Sequence, residues 1–428
     1  MKKVAKKPLI IGTTADYIEL LAGRFPDRAV FVTDIKERKA WKGKLPSDLS
    51  EILLDLGDQN GAVKALEKGL NERGIAPSGI VCFDCESMAL ASIIAAKFGL
   101  PFPSLEAIIN CRSKYRSKKI WEERNVPCPD AGLIYDEEGA LRFFDSLKGE
   151  TAVMKPLTGS GSELVILCGD AGSCRSGYRM IRERLKEHLN SRMYTALNMP
   201  EDEDPINVVV MERYIPGEEY SCDFVIESGR AEIIRLARKT VDHDLSFGTV
   251  TAYVLQDRLP GGWSLDRLER RLKDASESLG FDRAIAMADL KIYDNEVFLL
   301  EITPRPGGDC LPPLIMESSG FDILKEAINF SERKKVTVPP RESWKEVVGF
   351  HLISSRQGVL KRLDKVRIEK DPRVVCCHFR RSPGDIIKLP PEDYGSRILG
   401  HVIFRPDKYA GIEAQCREIS ERLIVEME

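Results

Sequence analysis

The stretch LLEITPRPGGDC, residues 299–310, combines a strand pattern with polar residues on one side. Glu301, Thr303 and Arg305 occupy every second position, and side chains alternate across a strand, so the three share one face. Burying a carboxylate, a hydroxyl and a guanidinium together costs free energy unless a partner compensates for it. The segment therefore predicts a strand whose polar face binds something charged.

The segment before it supplies a second carboxylate. Residues 284–305 have the pattern of a β-hairpin, and a three-residue loop at 294–296 would place Asp289 directly opposite Glu301. With a two-residue loop, Asp289 would face residue 300 and the two carboxylates would point to opposite faces, so we expect a loop of odd length. Adjacent carboxylates repel each other unless a cation lies between them. Mg²⁺ (or Mn²⁺) suits these hard oxygen ligands, with Thr303 as a weaker one.

A glycine-rich turn predicts a phosphate site. Lys155 ends a predicted strand and is followed by TGSGS, residues 158–162. Such a turn exposes backbone N–H groups that can surround phosphate oxygens, and a nearby lysine adds positive charge. The turn lacks the Gly-Lys-Ser/Thr sequence of a Walker A loop, and a plain surface turn is the alternative. The loop residues that we assign to phosphate binding are Gly159, Ser160, Gly161 and Ser162.

A third feature is the segment NVVVMERYIPGEEY, residues 207–220. Its valines predict a buried strand that ends at Glu212, where the edge of an adenine could pair with backbone groups. Glu212 could accept a hydrogen bond from the adenine amino group, and Glu219 could accept from ribose hydroxyls. A polar strand end without a ligand is the alternative.

Composition excludes several classes of partner. The chain has 428 residues, with 64 Lys plus Arg against 67 Asp plus Glu, a net charge of −3. This balance gives no electrostatic reason to expect nucleic acid or an anionic membrane as partner. No stretch reaches the roughly 18 apolar residues of a membrane span, and we expect the lysine-rich N-terminus to lead into a strand rather than to act as a signal peptide.

The cysteines and histidines do not suggest a metal site. The eleven cysteines favour free thiols in the cytoplasm. Cys82 and Cys85 have CxxC spacing, but no second pair follows them. No metal-ligand spacing links the five histidines, which include His243, His351, His378 and His401.

Alternating strand and helix patterns predict a Rossmann-like parallel sheet near the N-terminus. We expect three units: this sheet over residues 1–110, a smaller unit with a linker helix over 111–213, and a larger unit with an α/β extension over 214–428. The overall fold class is therefore α/β.

The order of these motifs resembles the ATP-grasp superfamily over residues 105–330, and the segment EITPRPGGDCLPPLIMESSGFD, residues 301–322, resembles the tail of bacterial L-amino-acid ligases. The resemblance implies an ATP-grasp fold, in which central and C-terminal subdomains enclose a nucleotide cleft behind the Rossmann-like domain. Thr303 replaces the usual Asn ligand, and Leu164 replaces a small residue. The roles that the resemblance implies are nucleotide binding by Lys114, Lys155, Glu212, Arg213, Tyr214, Ile215 and Glu219, and metal binding by Asp289, Glu301 and Thr303.

The implied activity is an ATP-dependent carboxylate–amine ligase that forms an amide, in one version a dipeptide, through an acyl phosphate. Arg305 and Arg238 would hold the acyl phosphate or the carboxylate, and no covalent nucleophile is needed. The expected partners are a small carboxylate and an amine, with amino acids as the expected class, and a homodimer stays open. The alternatives are an ATP-grasp carboxylase or carbamoyl-phosphate enzyme, and a nucleotide-binding module without catalysis.

Overall fold

The computed structural model describes residues 4–41, 46, 50–187, 192–195 and 199–428. Within these ranges the strands form four sheets, and each sheet packs against helices or loops. None of the helices in these ranges combines the length and the apolar character needed to cross a membrane.

The N-terminal unit is a parallel sheet covered by helices. Its strands run in the order β3-β2-β1-β4. Leu9, Ile10 and Ile11 of β1 are completely buried, because helices cover both faces of a parallel sheet. The predicted Rossmann-like domain is therefore confirmed. Its elements are β1 (Ala5–Ile11), α1 (Ala15–Arg24), β2 (Val30–Asp34), α2 (Ile35–Ala40), β3 (Glu51–Leu54), α3 (Gln59–Arg73), β4 (Ile75–Val81) and α4 (Met88–Phe98).

Two linker helices follow, α5 (Leu105–Arg112) and α6 (Lys114–Glu123). The hydroxyl of Ser113 accepts a hydrogen bond from the Arg116 amide and so caps the start of α6. Trp121 is completely buried in the core of the large C-terminal unit, and its indole N–H donates to the Ala275 carbonyl at 3.2 Å. The domain boundaries stay a prediction, but α6 packs with the large unit.

A small lid unit comes next. Its antiparallel sheet has the order β5-β8-β6-β7 and carries two helices on one side. Its elements are β5 (Ala131–Ile134), α7 (Glu137–Ser146), β6 (Ala152–Pro156), β7 (Ile166–Cys168), α8 (Ala171–Glu187), a 3-10 helix (Glu201–Glu203) and β8 (Val209–Arg213).

The large unit is built on an eight-stranded antiparallel sheet in the order β13-β12-β9-β10-β11-β14-β18-β16. The last 80 or so residues extend this sheet, and β17-β15-β19 form a small sheet beside it. The elements are β9 (Glu218–Glu227), β10 (Arg230–Val241), β11 (Val250–Leu255), α9 (Leu265–Ser278), β12 (Ala284–Tyr293), β13 (Glu296–Thr303), α10 (Leu311–Ser319), α11 (Ile323–Ser331), a 3-10 helix (Arg341–Ser343), β14 (Val348–Ile353), β15 (Gly358–Asp364), α12 (Val366–Glu369), β16 (Val374–Phe379), β17 (Ile386–Ile387), β18 (Ile398–Phe404), α13 (Ile412–Ser420) and β19 (Ile424–Met427).

The hairpin β12–β13 corrects one prediction. Its loop has two residues, Asp294 and Asn295, both with positive φ, and Tyr293 pairs with Glu296. The prediction of an odd-length loop was therefore wrong. Asp289 still lies opposite Glu301, because the register shifts by one residue and leaves an extra residue in β13. A β-bulge in β13, and not the length of the loop, therefore brings the two carboxylates to the same face.

Candidate active site

The two predicted metal carboxylates lie on one face of the large sheet. Asp289 of β12 pairs with Glu301 of β13, and Thr303 points to the same side two residues later. The Asp289 Oδ1 atom is buried and has no hydrogen-bond partner in the described part of the chain. Burial raises the pKa of Asp289 to about 6, and the nearby Glu301 carboxylate contributes to the rise. An orphaned carboxylate oxygen beside a second carboxylate fits a divalent cation with oxygen ligands.

A lysine that the sequence reasoning missed lies next to these carboxylates. Lys239 of β10 donates to Asp289 Oδ2 at 2.6 Å and to Glu219 Oε1 at 2.8 Å. Burial disfavours the ionised form of Glu219, but the attraction of the Lys239 ammonium outweighs burial. The pKa of the Glu219 carboxyl therefore lies below its ordinary value. Glu219, predicted as a ribose contact, is thereby fixed in position beside Asp289.

The prediction for Arg238 needs correction. Arg238 pairs with Tyr220 across β10 and β9, so its side chain lies on the opposite face of the sheet from its neighbour Lys239. Its Nε atom lies 3.7 Å from Glu218, on that same far face. The structure therefore does not bring Arg238 to the carboxylates, and Lys239 is the cation of this strand that faces them.

Glu212 lies between two lysines. Its carboxylate is 2% exposed, with one oxygen 2.7 Å from Lys155 Nζ and the other 3.1 Å from Lys118 Nζ. Burial opposes its ionisation, but the two ammonium groups outweigh burial and lower the pKa of Glu212. Lys118 also donates to the carbonyl of Leu300, and Leu300 is the residue of β13 that the bulge leaves without a partner in β12. Glu212 thus positions Lys155 and Lys118, and a direct contact to adenine stays a prediction.

Lys118 was missed, although its position four residues after Lys114 on α6 puts both on one helix face. Lys114 donates to the Gly159 carbonyl at 3.0 Å and so connects α6 to the glycine-rich loop. Burial lowers the pKa of Lys114 to about 8, and the positive charge of Lys155 adds to the fall. A phosphate group would relieve this cost.

The glycine-rich loop has the conformation that its sequence requires. Gly159 has φ +134° and Gly161 has φ +67°, and the Ser160 and Gly161 side of the loop is exposed. Leu164, which departs from the usual small residue, is 1% exposed and packs in the lid core. Its size therefore serves the lid rather than obstructing the loop.

The residues predicted to form an adenine hinge lie at the end of β8 and directly after it. The amides of Arg213 and Tyr214 donate to the Asp130 and Thr151 carbonyls, while the Ile215 amide has no backbone acceptor among the described residues. Lys291 lies 4.4 Å from the centre of the Tyr214 ring. Pairing of the Ile215 amide with adenine therefore stays a prediction.

Arg305 faces the N-terminal unit. Its guanidinium donates to the Cys85 sulfur from Nη2 at 3.0 Å and from Nε at 3.3 Å. The loop after it is fixed because the Gly307 amide donates to Asp223 at 2.7 Å, and Asp223 forms a buried ion pair with Arg235. The segment after β4 thus reaches the same cleft as the hairpin, and this contact had no signal in the sequence.

A family model for the ATP-grasp domain matches residues 149–313. This span contains the glycine-rich loop, the hinge and both carboxylates. The chain contains an ATP-grasp domain. The lysines and carboxylates described above lie within this ATP-grasp domain or, in the case of Lys114 and Lys118, on the helix that packs against it.

Known proteins resemble the chain both in sequence and in three-dimensional structure. A D-alanine–D-alanine ligase of Acidovorax ebreus is 26% identical over 235 residues, which cover 52% of this chain and 64% of that protein. The chain thus spans slightly less than two thirds of that curated relative. An L-amino acid ligase of Bacillus licheniformis has a TM-score of 0.75 at 17% identity, with 99% of each chain covered. A biotin carboxylase of Campylobacter jejuni has a TM-score of 0.65 at 14% identity, covering 98% of this chain and 92% of that one. Together with the family match, these likenesses confirm the predicted ATP-grasp fold of the chain.

Proposed function

We propose that the protein is an ATP-dependent carboxylate–amine ligase that forms an amide bond, with amino acids as the substrate class. One observation carries the proposal: Asp289 and Glu301 face each other on the strand pair, with a buried carboxylate oxygen left unpartnered. The names of the D-alanine–D-alanine ligase and the L-amino acid ligase support the reaction class.

The nucleotide would bind between the lid and the large sheet. Its adenine would pair with the Ile215 amide and its ribose hydroxyls with Glu219, while Lys114 and Lys155 would neutralise phosphate oxygens. Asp289 and Glu301 would hold Mg²⁺, with Thr303 beside them. Bound there, Mg²⁺ neutralises charge on the phosphate groups.

The reaction has two steps. A carboxylate oxygen of the first substrate attacks the γ-phosphorus of ATP, and the bond to the bridging oxygen breaks, releasing ADP. The amine nitrogen of the second substrate then attacks the acyl carbon, loses a proton, and phosphate departs. Arg305 would hold the phosphoryl oxygens, and the glycine-rich loop would exclude water from the acyl phosphate.

ADP release across a panel of amino acids, supplied singly and in pairs, tests this proposal. Dependence on a pair of amino acids supports the ligase, and the product is identified by mass spectrometry. Dependence on bicarbonate would support the carboxylase alternative instead, and no release with any substrate would leave a binding module.

Two variants test whether the activity depends on the proposed metal carboxylates. Glu301→Gln removes one charge from the metal carboxylates and is expected to lower kcat by about 100-fold or more, while the fold stays intact. Glu296→Gln, on the same strand but paired with Arg271 at its far end, is the matched control and should retain activity. Full activity in Glu301→Gln would contradict the assignment of the metal carboxylates.

A further inference from the structure

A second polar cluster lies on the C-terminal half of the large sheet. His351 of β14 pairs directly with His401 of β18, and His401 pairs with His378 of β16. The three histidines therefore stand side by side across adjacent strands. They lie well away in sequence from one another, which is why no metal-ligand spacing was visible.

Three ligand types converge at one end of this row. One donor atom each from Asp309, Cys310 and His351 lies within 4.8 Å of the other two. Cys310 is completely buried and His351 is 7% exposed. Asp309 reaches the cluster because its backbone has φ +62°, which turns the chain sharply after Gly308.

The surroundings of these residues match those of metal ligands. His351 Nδ1 lies 2.9 Å from the Val250 carbonyl, which can only accept, so Nδ1 carries a proton and Nε2 points to Asp309. Ligating histidines usually donate their second N–H to a carbonyl in this way, and ligating carboxylates are themselves hydrogen-bonded. Arg380 fulfils the second condition by donating to Asp309 Oδ1 at 2.9 Å.

An ion pair alone does not account for the cluster. A contact of Asp309 with His351 explains two of the groups, yet His401 Nδ1 is buried without a hydrogen-bond partner in the described residues. His401, which pairs with His351 across the two strands, is only 4% exposed, so bulk solvent hardly reaches its ring. The thiol of Cys310 is likewise enclosed beside them.

We propose that Asp309, Cys310 and His351 bind a transition-metal ion of the Zn²⁺ type. Mixed sulfur, nitrogen and carboxylate donors are those that Zn²⁺ takes in proteins, whereas Mg²⁺ avoids thiolate. The ion would fasten the loop after Arg305 to β14, and so would fix the substrate side of the cleft. The inference does not depend on the proposed ligase activity.

Metal content of the full-length protein tests this inference. The chain is expressed with zinc, passed over a desalting column and measured by elemental mass spectrometry, and we expect about one zinc ion per chain. Cys310→Ser and His351→Ala should each fall to about 0.1 to 0.3 ions per chain, since losing one ligand weakens such sites strongly. Cys416→Ser on α13 and Glu301→Gln in the cleft are the matched controls and should keep the ion.

Cobalt replacement gives a readout on the wild-type chain alone. Co²⁺ bound through Cys310 should produce a thiolate charge-transfer absorption in the near ultraviolet, and Cys310→Ser should remove it. A folded wild-type chain that takes up no zinc and shows no such absorption overturns the proposal, even where a variant fails to fold. Equal zinc content in wild type and in both ligand variants overturns it as well.

Discussion

Glu212 lies between Lys118 and Lys155, and the two lysines differ in what surrounds them. The Lys118 side chain is 2% exposed, and it joins Glu212 to the Leu300 carbonyl of the bulge. The Lys155 side chain is 12% exposed and lies where the proposed nucleotide would bind. Removing one partner of a buried pair leaves an uncompensated charge, so burial decides the cost.

Replacing these lysines should separate folding from nucleotide binding. Lys118→Ala is expected to lower the free energy of unfolding by about 3–5 kcal/mol, because Glu212 and a buried carbonyl both lose a partner. Lys155→Ala should affect stability less and weaken ATP binding or phosphoryl transfer by about 2–4 kcal/mol. Denaturant titration and steady-state kinetics measure the two effects. Lys119→Ala, at an exposed position of α6, is the control. Equal stability loss in both variants would contradict this division.

Asp289 gives the site a dependence on pH. Burial raises its pKa from 3.8 to about 6, so between these values the folded chain holds a proton that the unfolded chain has released. This contribution to stability is complete below about pH 4 and is lost as the pH rises through about 6. Under the proposed function, binding of Mg²⁺ would require the ionised carboxylate and would therefore strengthen over the same range.

We expect the rise in melting temperature caused by Mg²⁺ and a non-hydrolysable ATP analogue to grow between about pH 5 and about pH 7. Asp289→Asn should show a smaller rise that varies little with pH. Asp294→Asn in the exposed turn of the same hairpin should behave as the wild type. A wild-type rise that is constant over this range would exclude Asp289 as the titrating ligand.

At the scale of elements, the hairpin β12–β13 shows how a turn and a bulge together set a face. The two-residue loop alone would place Asp289 and Glu301 on opposite sides. The extra residue in β13 restores the pairing and frees the Leu300 carbonyl for Lys118. A bulge next to a functional site re-aims side chains in this way, and the alternation pattern does not reveal it.

The glycine-rich loop depends on backbone conformation. At Gly159 a Cβ atom would meet only the Tyr194 ring, at an ordinary 3.8 Å, so Gly159→Ala tests the φ of +134° rather than a clash. We expect a cost of about 1–3 kcal/mol and a raised KM for ATP, because the Gly159 carbonyl that holds Lys114 would move.

Gly169→Ala is the matched control in the same lid unit. A Cβ atom there has open space, and the residue has no positive φ. The melting temperature and the KM for ATP of this variant should therefore equal those of the wild type. An unchanged KM in Gly159→Ala would mean that the loop does not position the nucleotide.

At the scale of the whole molecule, the C-terminal segment is part of the large sheet. β14 pairs with β11, and Phe350 and Phe404 pack edge to face at 5.7 Å in the core of this half. A chain that ends at Pro339 would leave the hydrogen-bonding edge of β11 open and would lose this core.

Truncation at Pro339 should therefore prevent folding rather than release a smaller active enzyme. The loss is comparable to the whole stability of a domain, about 5–15 kcal/mol, and we expect aggregated protein without a cooperative unfolding transition. Size-exclusion chromatography and circular dichroism of the full-length and truncated chains check this. A soluble truncated chain that still binds ATP would show that the C-terminal strands are dispensable.

The sequence by itself determined what depends on local periodicity: the parallel N-terminal sheet, the polar face of Glu301 and Thr303, and the glycine-rich loop. Strand alternation and turn chemistry act over a few residues, so they can be recognised without the fold.

Only the tertiary structure decided the contacts between distant segments. The choice of Lys239 over Arg238, the link from Lys118 to Glu212, and the meeting of Asp309 with His351 depend on strand register and on how helices pack. A shift of one residue reverses the face of every side chain in a strand, and that shift is set by the packing of the whole sheet.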